Sequence, residues 1–349
     1  MVNKHMPYDL KQMQSLPLAA KIIMTQQRIR QWYEHWDGMV YVSFSGGKDS
    51  TVLKHIVDSM YDDVPALFVN TGLEYPEIQR FAMSQPNVVT VRPEMRFDEV
   101  IKTYGYPVIS KEVSQKLHDA NTAKRSGYTD SYAIRQFNGV YQSKNGKKSQ
   151  YNVQKWKFML DAPFNSSHMC CKVMKKNPAR KYVKETGRKA IIGTMASESR
   201  LRYQKWLQNG CNAFDIKNPS SQPLSFWTEQ DILQYLKKYD VPYCSVYGDI
   251  VPTDDGEQVA GQLTTFDILD DYSGTLLKTT GCNRTGCIFC MFGCHLEKEP
   301  NRFQRLKETH PKQYEYCIGG GEMVDGKWQP NKEGLGLGKV LDYIGVNYK

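Results

Sequence analysis

Residues 39–60 constrain the fold more than any other stretch. Met39-Val40-Tyr41-Val42-Ser43-Phe44 is a short apolar run rich in β-branched and aromatic residues. That is the pattern of a buried strand. Ser45-Gly46-Gly47-Lys48-Asp49-Ser50 follows at once, and Val52, Leu53, Ile56, Val57 and Met60 then recur at helical spacing. A parallel sheet places its ligand crevice just beyond such a strand. The two glycines let the backbone turn sharply and approach a ligand closely. The helix start offers unpaired N–H groups and the positive end of the helix dipole. Ser45 and Ser50 add hydroxyls and Lys48 adds charge, so a phosphate fits. The loop is not a Walker A motif, because Asp49 follows the lysine and no glycine precedes it at the required interval; G-x-G-x-x-G is absent too. The plainer alternative is a tight strand-to-helix turn with no ligand.

The same alternation extends along the chain. Residues 17–36 predict an amphipathic helix through Leu18, Ile22, Ile23, Ile29 and Trp32, ended by Asp37-Gly38. Ala66–Asn70 predicts a second strand, residues 75–84 a helix, and Asn87–Val91 a third strand. Asn177–Thr186 reads as a helix and Lys189–Gly193 as a strand. Thr228–Tyr239 reads as a helix with Thr228 as its N-cap and Asp231 three residues on. Strands alternating with helices at this spacing indicate βαβ units and a parallel sheet. Two stretches break the pattern: residues 121–160, read as a long insertion or mobile loop, and residues 246–280, read as another insertion. Glu297–Tyr316 predicts a helix interrupted at Pro300 and Pro311.

Composition narrows the class. The chain has 349 residues, of which 40% are hydrophobic and 24% charged, enough apolar content for a packed core. No stretch approaches about 18 consecutive apolar residues, and the first 30 residues show no continuous apolar h-region, so neither a membrane span nor a secretory signal is expected. The chain reads as cytoplasmic, and in that compartment nine cysteines are not a disulfide framework. The net charge of +9 is uneven. Residues 121–189 hold 16 Lys and Arg against Asp130, Asp161 and Glu185, a local +13. This is either a solvated basic face or an anion site.

Ser45–Ser50 resembles the PP-loop of the N-type ATP pyrophosphatases. Further motifs resemble one branch, the phosphoadenosine phosphosulfate (PAPS) reductase superfamily. They are Leu67-Phe68-Val69-Asn70-Thr71-Gly72-Leu73-Glu74-Tyr75-Pro76-Glu77; Cys170-Cys171-Lys172 with Lys175, Lys176 and Pro178; Ile192-Gly193-Thr194 with Glu198-Ser199 and Arg202; and Pro223-Leu224, Trp227-Thr228, Asp231-Ile232 and Pro242-Tyr243. The matches are collinear from Val42 to Tyr247. The resemblance implies an adenine nucleotide alpha hydrolase-like parallel sheet flanked by helices, with a cysteine-rich, mainly helical C-terminal region. It implies three parts: an N-terminal helical segment (1–38), a PP-loop domain (39–245) carrying the basic insertion at about 121–160, and an insertion plus cysteine-bearing region (246–349). It also implies that Ser45, Gly46, Gly47, Lys48 and Ser50 hold phosphate, with Asp49 near Mg²⁺ or a hydroxyl; Lys48, Asp49 and Ser50 would be catalytic. Asn70, Thr71 and Gly72 would approach the ribose or adenine, and Gly193 would lie against the nucleotide. Glu198 and Arg202 join the site or form a surface ion pair. One departure stands out: Met195 occupies the position where the family usually has Arg. Met cannot grip a sulfate or phosphate as a guanidinium does.

Cys282, Cys287, Cys290 and Cys294 cluster as C-x4-C-x2-C-x3-C, and Cys170-Cys171 is a doublet. Two ligand sets are open. The local four resemble a zinc knuckle. Cys170, Cys171, Cys287 and Cys290 resemble the ligands of a [4Fe–4S] cluster in assimilatory adenylylsulfate reductases, and this set is preferred, with zinc as the alternative metal. The family's C-terminal nucleophile in a Glu-Cys-Gly-Leu-His context is missing; Cys317 in Tyr316-Cys317-Ile318 is a poor match and reads as a buried helix residue. Residues 121–160 interleave Lys and Arg with Tyr128, Tyr132, Phe137, Tyr141, Tyr151 and Trp156, a composition suited to stacking single-stranded bases or to closing over ATP. The resulting expectation is an enzyme that binds ATP and Mg²⁺, adenylates a substrate and supports sulfur transfer. Its partners would be an adenine nucleotide, a tRNA or DNA at the basic insertion, and a sulfur-donor protein. The rivals are a PAPS or adenylylsulfate reductase and a non-catalytic nucleotide-sensing or DNA-binding regulator.

Overall fold

The computed structural model describes residues 3–253 and 276–349. Most of the insertion read at 246–280 therefore lies outside the described residues. In chain order the first elements are α1 (Pro7–Gln14), α2 (Leu18–His35), β1 (Val40–Phe44), α3 (Lys48–Asp58), β2 (Ala66–Val69), α4 (Pro76–Ser84) and β3 (Val88–Val91). Next come α5 (Phe97–Tyr104), β4 (Val108–Ile109), α6 (Lys111–Arg125), α7 (Tyr132–Asn138), α8 (Asn177–Thr186), β5 (Lys189–Ile192), α9 (Arg200–Asn209), β6 (Asn212–Ala213), β7 (Ser220–Ser221) and α10 (Glu229–Lys238). The last are β8 (Ile250–Pro252), β9 (Leu277–Thr279), β10 (Met291–Phe292), α11 (Arg302–Thr309), α12 (Pro311–Ile318), β11 (Glu322–Val324), β12 (Lys327–Gln329) and α13 (Leu337–Tyr343). These form two compact units, each discontinuous in sequence: residues 1–92 with 179–285, and 93–178 with 286–349.

The first unit is built on a six-stranded sheet in the order β3-β2-β1-β5-β7-β6, parallel except for β6 against β7. The mixed α/β fold with a mostly parallel sheet was thus legible from the alternation of patterns. The chain steps outward from β1 through β2 to β3, then returns to β5 on the other side of β1. The order therefore reverses between β1 and β5, and a parallel sheet opens its ligand crevice at such a switch point. Val52, Leu53, Ile56 and Val57 of α3 pack into the same core as Val40, Val42 and Phe44 of β1, as their spacing predicts.

The buried face of α2 differs from a purely apolar reading. Its buried residues are Leu18, Lys21, Thr25, Ile29 and Trp32, while Ile23 is 57% exposed. Lys21 is buried because its ammonium meets both oxygens of Asp231 at 2.8 and 2.7 Å. Thr25 is buried because it accepts from Trp227 Nε1 at 2.9 Å and donates to the Pro223 carbonyl. Asp231 has a second duty at the N-terminus of α10: its carboxylate accepts from the Thr228 N–H, and Thr228 Oγ1 accepts from the Asp231 N–H, the reciprocal cap that the sequence predicts.

The second unit corrects the reading of residues 121–160 as a loop. α6 runs to Arg125, α7 spans Tyr132–Asn138, and a 3₁₀ segment covers Gln154–Asp161. Ser131 caps α7 and Gly139, at φ +73°, ends it; Ile134 and Phe137 are buried. Seven residues are too few to show a clear helical period among so many polar neighbours. The helix read over Glu297–Tyr316 is two helices. Asn301 caps α11, and Pro311 opens α12 at a position where its missing N–H has no partner to lose.

Candidate functional site

The loop after β1 supplies the floor of a cavity of about 410 Å³, within the ~300–1,000 Å³ of small-molecule sites. Gly46 turns the chain at φ +72°, a conformation that costs glycine little. Gly47 is the N-cap residue of α3. Ser45 and Ser50 close the turn on itself: their hydroxyls stand 3.0 Å apart, Ser50 Oγ accepts from the Ser45 N–H, and Ser50 Oγ lies 2.9 Å from the Gly47 carbonyl. The loop is therefore set in shape before any ligand arrives. Gly193, just past β5, admits α3 at close range: a Cβ there would stand 2.9 Å from the Asp49 carbonyl oxygen. The two strand ends flanking the switch point thus press the loop and α3 against residues 193–198.

Charge in this cavity is paired. Lys48, only 5% exposed, donates to Glu229 of α10 at 3.0 Å and lies over the Tyr247 ring. The Tyr247 hydroxyl accepts from the Lys48 N–H at 3.3 Å and stands 2.6 Å from Thr285 Oγ1. Glu198 is a hub: its carboxylate accepts from the Met195 N–H at 2.9 Å, from Arg284 at 2.7 Å and from Arg202. Burial raises the Asp49 carboxyl above the usual carboxylate range, against the opposing pull of Lys48, Arg284 and Arg202.

Of the expected nucleotide residues, Ser45, Gly47, Lys48, Asp49, Ser50 and Gly193 line this cavity, as do Glu198 and Arg202. Gly46 is not among the lining residues, and neither are Asn70, Thr71 and Gly72. Those three follow β2 and bond among themselves: Thr71 donates to the Glu74 carboxylate through both N–H and hydroxyl, and the Gly72 N–H donates to Asn70 Oδ1. Sequence reasoning missed Glu229, Tyr247, Arg284 and Thr285, which reach the cavity from distant parts of the chain. Glu229 directly follows the Trp227-Thr228 motif, which was the available signal; the others carried none.

The second unit holds Cys170, Cys171, Cys287 and Cys290. The thiols of Cys170 and Cys171 are 4.0 Å apart, at the start of a helical run that passes through a π-turn at Lys172–Lys176. β10 pairs with β4, and the turn that closes the Cys290 N–H onto the Cys287 carbonyl comes directly before it. β4 leads through Ser110 into Lys111, whose ammonium acts on Cys171. The hydrogen bond from Cys170 lowers the Cys171 thiol below its ordinary range, helped by Lys111 and Lys175 and opposed by burial. That bond and burial hold Cys170 up, with Cys290 and Cys287 adding to the effect, so these thiols lie within electrostatic reach of one another. Among the described residues no three His, Cys, Asp or Glu side chains gather closely enough to hold one metal ion. Of the rival set, Cys282 belongs to the first unit; Cys294 is buried and its thiol is pushed up to about 12. Cys211, Cys244 and Cys317 are buried, Cys317 completely.

Fold and site together define a mixed α/β protein with a polar pocket at the switch point of a mostly parallel sheet. The chain belongs to the phosphoadenosine phosphosulfate reductase domain family, whose model matches residues 39–125 and 115–291. It is 20% identical over 221 residues to the phosphoadenosine 5'-phosphosulfate reductase of Alkalilimnicola ehrlichii, covering 62% of this chain and 69% of that one. An uncharacterized protein of Methanocaldococcus jannaschii is 31% identical over 86 residues, 23% of this chain and 21% of its own length, so this chain spans about a fifth of that relative. The PAPS reductase of Candida auris, solved as a phosphate complex, aligns at 14% identity with a TM-score of 0.36 over 70% of this chain and 92% of that one.

Proposed function

We propose that this chain binds ATP in the pocket after β1, adenylates a substrate and supports sulfur transfer. The observation that carries the reading is the preset Ser45–Ser50 loop with buried Lys48 beside it at the sheet's switch point. In this reading the Ser45 and Ser50 hydroxyls and the first N–H groups of α3 hold the phosphates. Lys48 turns from Glu229 to the nucleotide, which exchanges one anionic partner for another. An acceptor oxygen attacks the α-phosphorus and pyrophosphate leaves; the cationic side chains stabilise the charge that develops on it. Mg²⁺ held by Asp49 would add to that neutralisation. Asp49 fits the part: it lines the pocket, and its carboxyl lies within electrostatic reach of Lys48, Arg284 and Arg202.

Cys170, Cys171, Cys287 and Cys290 would hold an iron–sulfur cluster. They fit such a group better than one ion. Zn–S bonds of about 2.3 Å would draw four thiolates to within about 4 Å of one another; the doublet's thiols stand 4.0 Å apart, and among the described residues no three ligating side chains gather closely enough for one ion. A cluster spreads its ligands over several irons. The cationic surroundings of Cys171 favour the thiolate that ligation needs.

A second reading, a sulfonucleotide reductase, is favoured by the Alkalilimnicola relative. Against it, Cys317 is wholly buried and its thiol is held well above its ordinary range, so it offers no accessible nucleophile. The deciding experiment incubates the full chain with ATP and, separately, with PAPS and a thiol reductant. Pyrophosphate from ATP supports adenylation, and sulfite from PAPS supports the reductase. Neither product, with tight nucleotide binding, would leave a nucleotide-sensing regulator.

A further inference from the structure

Met195 leaves the pocket without the guanidinium that the family pattern puts at its position; its side chain is 6% exposed and packs in the core. Two other guanidiniums line the same cavity, Arg202 from α9 and Arg284 from the segment after β9. One carboxylate, Glu198, serves both. Lys48 already has Glu229, and Asp49 lies in no direct ion pair among the described residues. Asp49 acts on both guanidiniums without a direct ion pair, so two cations share the single carboxylate they touch. The two cations also oppose each other: after burial, Arg284 is the next cause lowering Arg202. An anion placed against both would relieve that repulsion and use donors they still have, since each guanidinium carries five N–H groups and spends one bond on Glu198. The Arg284 segment is also anchored to the loop, because Thr285 meets the Tyr247 hydroxyl that accepts from the Lys48 N–H.

We infer that Arg284, together with Arg202 on their shared Glu198, forms a second anion grip in the nucleotide pocket. It takes a phosphate or sulfate group remote from the one held by the Ser45–Ser50 loop, and it selects nucleotides bearing two separate anionic groups. The inference rests on the nucleotide reading above and names the specificity of that site. The ligand group is a tetrahedral oxyanion, supplied either by the β,γ-phosphates of ATP or by the sulfate or 3'-phosphate of PAPS.

The test is calorimetric titration of the full chain and of Arg284→Ala, Arg284→Lys and Lys48→Ala with ATP, PAPS and AMP. Arg284 is exposed, with its side chain at 69%, so its removal should leave the fold intact. Arg284→Ala is expected to weaken ATP or PAPS about tenfold to a hundredfold, the loss of charge-assisted hydrogen bonds, while AMP stays within about twofold. Arg284→Lys should recover part of the loss, because an ammonium keeps the charge but not the fork. The nucleotide that loses affinity identifies the source of the oxyanion. Wild-type affinity for all ligands in Arg284→Ala, or an equal loss for AMP, overturns the grip while leaving nucleotide binding standing, provided Lys48→Ala abolishes it. A wild-type chain that binds none of the three overturns both.

Discussion

The polar pocket of the first unit and the thiols of the second handle charge in opposite ways. In the pocket, three cations (Lys48, Arg202, Arg284) stand among three carboxylates (Asp49, Glu198, Glu229). Without a ligand it is balanced, and an incoming anion exchanges places with carboxylates already there. Around the thiols the balance tilts toward cations: Lys111 and Lys175 face Cys171, and Arg302 acts on Cys290 and Cys294 while Glu297 grips it. At Cys171 the cations help to hold the thiolate in its charged form, whereas at Cys290 and Cys294 burial outweighs Arg302 and keeps the thiols up. Balanced charge suits a ligand that comes and goes, and a standing thiolate suits a cationic group that stays. The comparison can be broken from either side.

The largest expected effect separates a charge that holds the fold from charges that serve the pocket. Two neighbouring acids on α10 each take a lysine from elsewhere. Asp231 takes Lys21 with both side chains buried, whereas Glu229 is half-exposed beside Lys48. Removing one partner of a buried pair costs about 3–5 kcal/mol, because it leaves a buried charge uncompensated. Lys21→Ala should therefore lower the melting temperature by at least ~6 °C. Glu229→Gln should shift it by less than half as much. Equal shifts would mean that both pairs are structural and that the pocket's charge is not exchangeable.

Next comes Lys48→Ala, expected to weaken ATP binding at least ~100-fold, since a buried charge-assisted contact and the loop's only ammonium go together. The iron content of the same variant should match wild type. The mirror variant is Cys171→Ser. Wild-type protein purified without oxygen should carry about four iron per chain with a brown absorbance. Cys171→Ser should lose most of that iron and keep its ATP affinity within about threefold. Stoichiometric zinc without iron in the wild type would refute the cluster, and joint loss of ATP binding in Cys171→Ser would erase the contrast between the two regions.

These variants also show how legibility divides. β1, the Ser45–Ser50 loop and α3 could be read because their signals are local: an alternation of periods and a turn whose residues all sit within six positions. The Thr228–Asp231 cap was legible for the same reason. Lys21 was not, since nothing in its neighbourhood announces a partner 210 residues away. Tyr247, Arg284 and Thr285 escaped likewise: the pocket acquires them through tertiary folding, and each looks like an ordinary polar residue in sequence. α7 was missed because a seven-residue helix among polar neighbours leaves almost no period to detect. The Cys170-Cys171 doublet and the C-x-x-C pair were conspicuous, but the Lys111 that conditions them was not.

The smallest effect concerns pH and tests whether Asp49 belongs to the exchangeable set. Burial is the leading cause of its raised carboxyl, and the nearby cations oppose it. A raised acid takes up its proton at a higher pH than an ordinary aspartate, near 3.9. Where Asp49 holds Mg²⁺ as a carboxylate, Mg²⁺-dependent ATP affinity is complete above its pKa and falls as pH drops through it. The fall should therefore begin at a pH above that of ordinary aspartates, and it should amount to a few-fold, because the contacts made by Lys48 and the loop donors remain. Asp49→Asn should show the lower affinity at every pH and no acid-side step. If the step persists unchanged in Asp49→Asn, the titrating group is another of the pocket's acids. Asp49 would then be a buried partner of the cations and would have no place in the exchange.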